Sequence, residues 1–302
     1  MRHAEAYKAT GGKARASKDG DWSESYMINL FDWCLKEQEQ MTHLTGAAQW
    51  IFKDFATPLR PENPIPRVNQ KGVVERDGTP KESFYVFQSY WAEKPMIHIY
   101  GHTWPVRWGR PGEEKLVEVF SNCREVELFV NGASAGVKQR NISDFPAAGL
   151  RWNVKLNEGA DTLRAVGKST GADVVDTFSL AYQTAPWGSP ARLTLKQIAQ
   201  TNDLATIEAR MFDQDGVPCL DAANTVCFGL TGDGRLLDNL GTATGSRVVQ
   251  LYNGRAQISL QLAGQAVVSV MSDGIKTVFL NLEKAQSKSQ PDPNAASPSA
   301  KR

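Results

Sequence analysis

Tryptophan is the residue type through which this sequence most directly suggests chemistry. Six of its eight tryptophans lie within residues 22–108. Each indole presents a large apolar face and one hydrogen-bond donor, so such a cluster suits either a large core or a sugar-binding surface. Both interpretations stay open until the elements that carry the tryptophans have been considered.

The cysteines and histidines form no motif of a metal site or a catalytic thiol. Cys34, Cys123, Cys219 and Cys227 contain no Cys-x-x-Cys pair, and the histidines are not paired at metal spacing. We therefore predict no metal site and no cofactor. Isolated buried thiols are the favoured interpretation, although Cys219 and Cys227 could also meet across neighbouring strands.

Length, charge and hydropathy exclude several classes of function. At roughly 150 residues per domain, a chain of 302 residues predicts about two domains, and two or three small units fit equally well. The formal net charge of +1 argues against a nucleic-acid groove or a polybasic membrane patch. No apolar run approaches the roughly 20 residues of a membrane helix, and the first residues lack the apolar segment of a signal peptide.

Residues 1–95 show an α/β pattern. Apolar residues at helical spacing predict a helix over 24–40, and the apolar run 46–55 predicts a buried strand. A loop with four prolines follows, which cannot be a helix or a central strand. Thr79, Pro80 and Glu82 then combine an N-cap, a first-turn proline and a capping-box glutamate, which predicts the start of a second helix.

From about residue 96 the apolar period changes from 3.6 to two. Short strands and the Asn-Gly turn at 131–132 predict a β-sandwich over 96–185. A second unit of alternating strands, expected to be Ig-like, covers 186–284, and its last two strands are predicted at 256–260 and 266–270. The polar, proline-rich residues 285–302 are predicted to be a disordered tail.

Four segments, in this order, carry a resemblance to glycoside hydrolase family two, which contains β-galactosidases and β-glucuronidases. They are GAAQWIFKDF, RVNQKGVVERDGTPKESFYVFQSYW, SNCREVELFVNGASAGVK and RMFDQDGVPCLDAANTVCFGLTGDGRLLDNLG. The resemblance covers nearly the whole chain. It implies a mainly β fold, in which the last strand–helix unit of a (β/α)₈ barrel is followed by two Ig-like β-sandwich domains. Active sites of such barrels are built from loops at the carboxyl ends of the strands.

The resemblance implies substrate-binding residues but no catalytic residue. Trp50 resembles the tryptophan that floors the sugar subsite, and Asp54 would share one side of the strand with Trp50 and Phe52. Asn69 and Lys71 resemble an Asn-x-Lys-Gly motif that binds the uronate carboxylate in β-glucuronidases, where lysine supplies charge and asparagine supplies direction. Similar sequences occur in galactosidase-type relatives, and a loop-to-helix tether is the alternative role of this motif.

The chain departs from the family at the catalytic positions. Retaining enzymes need two glutamates about 5 Å apart, and neither has a matching position here. We therefore expect the C-terminal portion of a longer retaining β-glycosidase, or the second half of a broken gene, that is inactive alone. The expected substrates are terminal β-galactoside-type residues of oligo- or polysaccharides, and the expected partner is the N-terminal barrel portion. The alternatives are a β-glucuronidase-type parent and a non-catalytic sandwich that binds carbohydrate or braces a barrel.

Overall fold

The computed structural model describes residues 16–17, 20–21, 24–141, 143 and 150–284. The predicted tail, 285–302, lies outside the described residues. Strands dominate the described part of the chain, as predicted, and two helices precede most of them. Helix α1 spans Glu24–Gln40 and helix α2 spans Glu82–Trp91. Neither described helix has the length and apolar character required to cross a membrane.

The strands of the described residues are short, apart from one of eighteen residues. In chain order they are β1 (Ala16–Ser17), β2 (Gly20–Asp21), β3 (Phe55–Ala56), β4 (Val68–Asn69), β5 (Ile97–Ile99), β6 (Val106–Trp108), β7 (Glu114–Ser121), β8 (Glu125–Val130), β9 (Ala133–Gln139), β10 (Arg151–Lys155), β11 (Gly159–Lys168), β12 (Val174–Gln183), β13 (Arg192–Thr201), β14 (Leu204–Phe212), β15 (Thr225–Leu236), β16 (Val248–Gln250), β17 (Arg255–Ser272) and β18 (Ile275–Glu283).

Helix α1 follows its predicted bounds, and Met27, Phe31 and Leu35 on one face are buried. Helix α2 does not begin as predicted. Its N-cap is Lys81, in an extended conformation and without a side-chain capping bond, so the prediction of a Thr79 cap is wrong. The reason is tertiary, because the Lys81 side chain turns inward to a buried carboxylate, described below.

The buried strand predicted over 46–55 is wrong for most of its length. Only Phe55 belongs to a strand, while Trp50 and Phe52 are 72% and 60% exposed. A parallel barrel strand is stable when neighbouring strands pair with both of its edges and packed side chains cover both of its faces. In the described part of the chain, residues 46–54 have one such contact, an isolated parallel bridge between Lys53 and Val74.

The first sandwich consists of β5–β12. Its two sheets have the strand orders β10-β7-β5 and β6-β12-β11-β8-β9, and all pairs are antiparallel except β6 with β12. The predicted Asn-Gly turn joins β8 to β9, with positive φ at both Asn131 and Gly132. The core between these sheets is drawn entirely from residues 99–182.

The second sandwich consists of β13–β18, in the order β13-β14-β17-β15-β16 with β18 on β17. The two strands predicted at 256–260 and 266–270 are parts of the single strand β17. Its first half pairs with β14, its second half pairs with β18, and β15 pairs along both halves. One long strand thereby pairs with three other strands where the sequence suggests two separate strands. Cys219 and Cys227 are both free thiols.

A third apolar cluster lies between the helices and the first sandwich. It joins residues of α1 and α2 to Tyr100, Trp104 and Phe120. Trp104 is 1% exposed, whereas Trp91 is 56% exposed. The tryptophan-rich region therefore divides into a core part and a surface part.

Candidate functional site

The predicted site residues are held by a buried carboxylate. Asp54 is 4% exposed, and its Oδ1 accepts a hydrogen bond of 2.8 Å from the backbone N–H of Gly72. Lys81 Nζ lies 2.7 Å from each carboxylate oxygen and also donates to Gln70 O at 3.1 Å. Asp54 therefore joins three segments: the one after Trp50, the Asn-x-Lys-Gly motif and the start of α2.

Only glycine fits at position 72 without a shift of the backbone. A Cβ atom there would lie 2.3 Å from the backbone nitrogen of Asp54 and 2.6 Å from the carbonyl carbon of Lys53. These are backbone atoms that cannot rotate away. The glycine of the motif is thus explained by close approach of two chain segments.

The Asp54–Lys81 pair is an ion pair within the protein interior. Burial raises the pKa of Asp54, and the Lys81 ammonium and the Gly72 N–H oppose this rise. Loss of one partner from such a pair leaves an uncompensated buried charge, which destabilises a fold strongly. Sequence reasoning assigned Asp54 to the site but missed Lys81, because nothing in its sequence neighbourhood distinguishes an inward-facing lysine from a surface one.

The proline-rich loop between β3 and β4 is closed at its base by strand pairing. Phe55 pairs with Asn69, and Ala56 pairs with Val68. Within the loop, Arg67 adopts a positive φ of 61° and donates its N–H to Arg60 O at 2.7 Å. The loop therefore returns the chain to the segment that follows Trp50, and it brings the Asn-x-Lys motif there.

Asn69 and Lys71 lie at the surface end of this arrangement. Asn69 is half-buried, and its Oδ1 accepts a hydrogen bond of 3.2 Å from the N–H of Lys71, whose side chain is exposed. Trp50 is also exposed, whereas Asp54 is buried. The predicted common side for Trp50, Phe52 and Asp54 is therefore wrong, since Asp54 alone of the three faces inward.

An apolar cavity of about 420 Å³ lies between α2 and the segment that contains Gln49 and Phe52. Its apolar lining includes Phe52, Val73, Phe84, Phe87 and Trp91. Of these side chains, Phe52 and Trp91 are exposed.

His98 and His102 form part of a stack of rings. The ring centroids are 4.7 Å apart with 25° between the ring planes, and His102 Nε2 lies 2.9 Å from Asp176 Oδ2. His98 Nε2 lies 2.8 Å from Glu82 Oε2, and Tyr85 stacks on His98. The coordinating lone pairs of imidazole lie in the ring plane, so two nearly parallel rings do not converge on one ion. The cluster is a hydrogen-bonded stack.

Titratable groups in this region have perturbed pKa values. Burial would lower the pKa of His102, but Asp176 and Glu82 outweigh burial and raise it. Burial likewise opposes the His102 and Ile99 N–H contacts that lower the pKa of Asp176. Burial, with Glu82 nearby, raises the pKa of Glu24 to about 7. These groups lie where α1 and α2 meet the first sandwich, and the directions of their shifts follow from burial and neighbouring charges.

Comparisons with known proteins identify relatives of this arrangement. Residues 112–175 match the family model described as a domain of unknown function, DUF4982. A crystal structure of β-glucuronidase from Parabacteroides merdae is 56% identical with a TM-score of 0.86, over 91% of this chain and 35% of that chain. A putative β-glucuronidase of Formosa agariphila is 42% identical over 89% of this chain, and a β-galactosidase of Bacteroides ovatus is 27% identical over 84% of it.

The fold and these relatives define the chain as one with the C-terminal architecture of a β-glycoside hydrolase. It belongs to glycoside hydrolase family two, of the β-galactosidase and β-glucuronidase type. Within that family it corresponds to the end of the catalytic barrel and the C-terminal β-sandwich domains. The chain spans about a third of the length of the relatives it matches.

Proposed function

We propose that this chain serves as the C-terminal part of a retaining β-glycosidase that removes terminal β-glucuronic acid residues from a carbohydrate. The observation that carries this proposal is the placement of Asn69 and the exposed Lys71 on a loop that Asp54 ties to the segment after Trp50. A lysine ammonium beside an amide is suited to a carboxylate, because one supplies charge and the other supplies direction.

The roles that we assign to this chain follow from the chemistry of glycoside cleavage. Retaining hydrolysis needs a carboxylate nucleophile and a second carboxylic acid that protonates the leaving oxygen. The proposal assigns neither role to the residues of this chain. Its residues bind and orient the sugar: Trp50 offers an aromatic face for the apolar C–H side of a pyranose, and Lys71 contacts the charged substituent.

The expected protein partner is the N-terminal part of the barrel. Phe52 and Trp91 expose aromatic surface at the cavity beside α2, and Trp50 is also exposed. Barrel strands and helices contributed by that part would cover this face and place an opposing wall in front of Trp50. Hydrophobic burial of this kind is the dominant favourable term in most protein association.

Several relatives support a glucuronide as the substrate. Solved structures that are 56% identical to this chain are described as β-glucuronidases from Parabacteroides merdae and Bacteroides uniformis. The Formosa agariphila relative, at 42% identity, is described as a putative β-glucuronidase.

The test is Lys71→Met in the complete β-glycosidase that contains this chain. For an aryl β-glucuronide we expect kcat/KM to fall by an amount equivalent to about 2–4 kcal/mol, the scale of a lost contact to a charged group. An aryl β-galactoside should lose much less. Lys94→Met is the matched control, since Lys94 is also exposed but lies after α2 and away from the loop. Equal losses on both substrates would make Lys71 a structural tether.

A β-galactoside is the second candidate substrate. The observation that favours it is the Bacteroides ovatus relative, which is 27% identical and described as a β-galactosidase. The same enzyme preparation distinguishes the two candidates, because a galactosidase would cleave the galactoside faster and keep that preference after Lys71→Met.

A further inference from the structure

Two residues of the proline-rich loop belong to the core of the second sandwich. Ile65 and Val68 are 5% and 4% exposed and form one apolar cluster with strand residues such as Val249 and Leu251. All other members of that cluster come from residues 193–282. The second sandwich therefore completes its core with side chains that reach it from the barrel end.

Hydrogen bonds accompany this apolar insertion. The N–H of Gln250 donates to Pro64 O at 2.8 Å, and the N–H of Ala243 donates to Glu75 Oε2 at 3.0 Å. These two bonds lie on either side of the Asn-x-Lys motif along the chain. The second sandwich thus contacts the chain both before and after Asn69.

Gly241 brings a further segment of the second sandwich against the same region. A Cβ atom on Gly241 would lie 3.1 Å from Val68 Cγ2 and 2.6 Å from Arg76 Cδ. The absence of a side chain there allows the loop of the second sandwich to approach closely. The second sandwich and the loop are therefore packed as closely as neighbouring segments in a protein interior.

The anchor at Val68 and the motif are close in sequence. Asn69 follows Val68 directly, and Lys71 follows it by three residues. Inside the loop, Asn63 Nδ2 donates to Val68 O at 2.6 Å, so the anchored segment is also braced internally. Since Asp54 fixes Gly72 on the other side, the backbone between Val68 and Gly72 has little freedom.

We propose that the second sandwich is a positioning element for substrate selection, which fixes Asn69 and Lys71 through the inserted Ile65 and Val68. This inference rests on the proposed function, in which Lys71 contacts the charged group of the sugar. The second sandwich is then part of the specificity apparatus, in contrast to a detached module that binds carbohydrate by itself. Val68 and Ile65 are positioning residues that act through the motif.

A matched pair of variants tests this inference from the sandwich side. Val249→Ala and Val268→Ala each delete the same methyl groups from the same buried core. Val249 precedes Gln250, which bonds the loop, and pairs with Val226 on β15. Val268 pairs with Leu230, four residues further along β15. Neither residue has a place in substrate binding.

The first measurement is amide hydrogen exchange of this chain. We expect Val249→Ala to speed exchange of residues 64–73 by about tenfold relative to Val268→Ala, because local opening of a less well packed loop costs less free energy. The exchange of β14 serves as the check that both variants keep the sandwich folded.

The second measurement is the ratio of kcat/KM for a glucuronide to that for a galactoside in the complete enzyme. Val249→Ala should lower this ratio about threefold to tenfold, chiefly through KM of the glucuronide, because small misplacement of a positioned group is costly. Val268→Ala should leave the ratio unchanged. A general loss of stability would lower both activities together and would not move the ratio.

The outcomes separate the inference from the proposed function. Equal exchange of residues 64–73 in the two variants would overturn the inference. It would also be overturned if Lys71→Met changed the ratio and Val249→Ala did not, and the proposed function would then stand. If Lys71→Met leaves the ratio unchanged, the proposed function fails and the role in selection fails with it. Faster exchange in Val249→Ala would in that case establish the second sandwich as a loop anchor only.

Discussion

The two sandwiches meet the barrel end through contacts of different chemistry. The first sandwich presents His98, which stacks on Tyr85 of α2 and lies 2.8 Å from the buried Glu82 carboxylate. The second sandwich instead encloses Ile65 and Val68 in its apolar core. The first contact adds a buried ring stack and a hydrogen bond to its apolar cluster, whereas the second depends on the volume of the side chains inserted into a core. The same chain therefore attaches two β-sandwiches in two different ways.

Of the changes that compare the two sandwiches, removal of the second sandwich should have the largest effect on protection from hydrogen exchange. In a chain cut after residue 185, Ile65 and Val68 lose their apolar surroundings, and residues 57–76 should lose almost all protection from hydrogen exchange. Strands of the first sandwich should keep their protection, because its core is drawn from residues 99–182. A chain cut after residue 284 is the control. Retained protection of 57–76 in the shorter chain would show that the loop needs no second sandwich.

The Asp54–Lys81 pair belongs to neither sandwich, so it measures how far the barrel end holds the loop by itself. Lys81→Met leaves the Asp54 carboxylate buried without its partner and should destabilise residues 69–73 by about 3–5 kcal/mol, as local exchange reports. The double variant Asp54→Asn with Lys81→Met removes both charges and should recover much of this loss. No recovery would mean that packing of the lysine stem matters more than charge.

Two isoleucines compare the sandwich cores directly. Ile65→Ala in the second core and Ile99→Ala in the first each remove a buried side chain, and each should cost about 3 kcal/mol locally. The location of the loss is what distinguishes them. Exchange should rise in residues 57–76 for Ile65→Ala, and in β5 and β7 for Ile99→Ala. A common pattern in both variants would argue that the two cores unfold as one unit.

Protonation of His102, in the first sandwich, should produce the smallest effect. The raised pKa of His102 stabilises the fold below the ordinary histidine value of 6.5, and this contribution is lost as the pH rises through the folded-state pKa. The lowered pKa of Asp176 stabilises above its ordinary 3.8 and is lost as the pH falls. The pair therefore contributes most between these two values.

His102→Gln should accordingly lower protection of β5 and β12 near pH 5.5 and have less effect near pH 8. Hydrogen exchange, corrected for its intrinsic pH dependence, measures this difference between variant and wild type. Protection of β14 in the second sandwich should not change with the variant at either pH. An equal effect of the variant at both pH values would show that the charge of His102 does not contribute to this protection.

Strands such as β8 and β10 could be read from the sequence, because their side chains alternate between a buried and a more exposed face. Glu125–Val130 and the following Asn-Gly turn are local features, since side-chain alternation and positive φ are decided within a few residues. Helix α1 was predictable for the same reason, as Met27, Phe31 and Leu35 recur at helical spacing.

The tertiary structure alone decided which side chains meet across long stretches of chain. Residues 46–54 are apolar enough for a strand, yet they lack strand neighbours on both sides among the described residues, and pairing requires a partner. Val268 and Ile258 lie on one strand because β17 changes partners along its length, which no local pattern records.

The same distinction applies to the candidate site. The sequence by itself determined the motif of Asn69 and Lys71 and the aromatic Trp50, since these are residue types at short spacing. It could not determine that Lys81 faces inward to Asp54, or that Ile65 and Val68 fill a core more than a hundred residues away. Those contacts are selected by burial and charge pairing in the folded chain, where the free energy depends on the partner that each side chain finds.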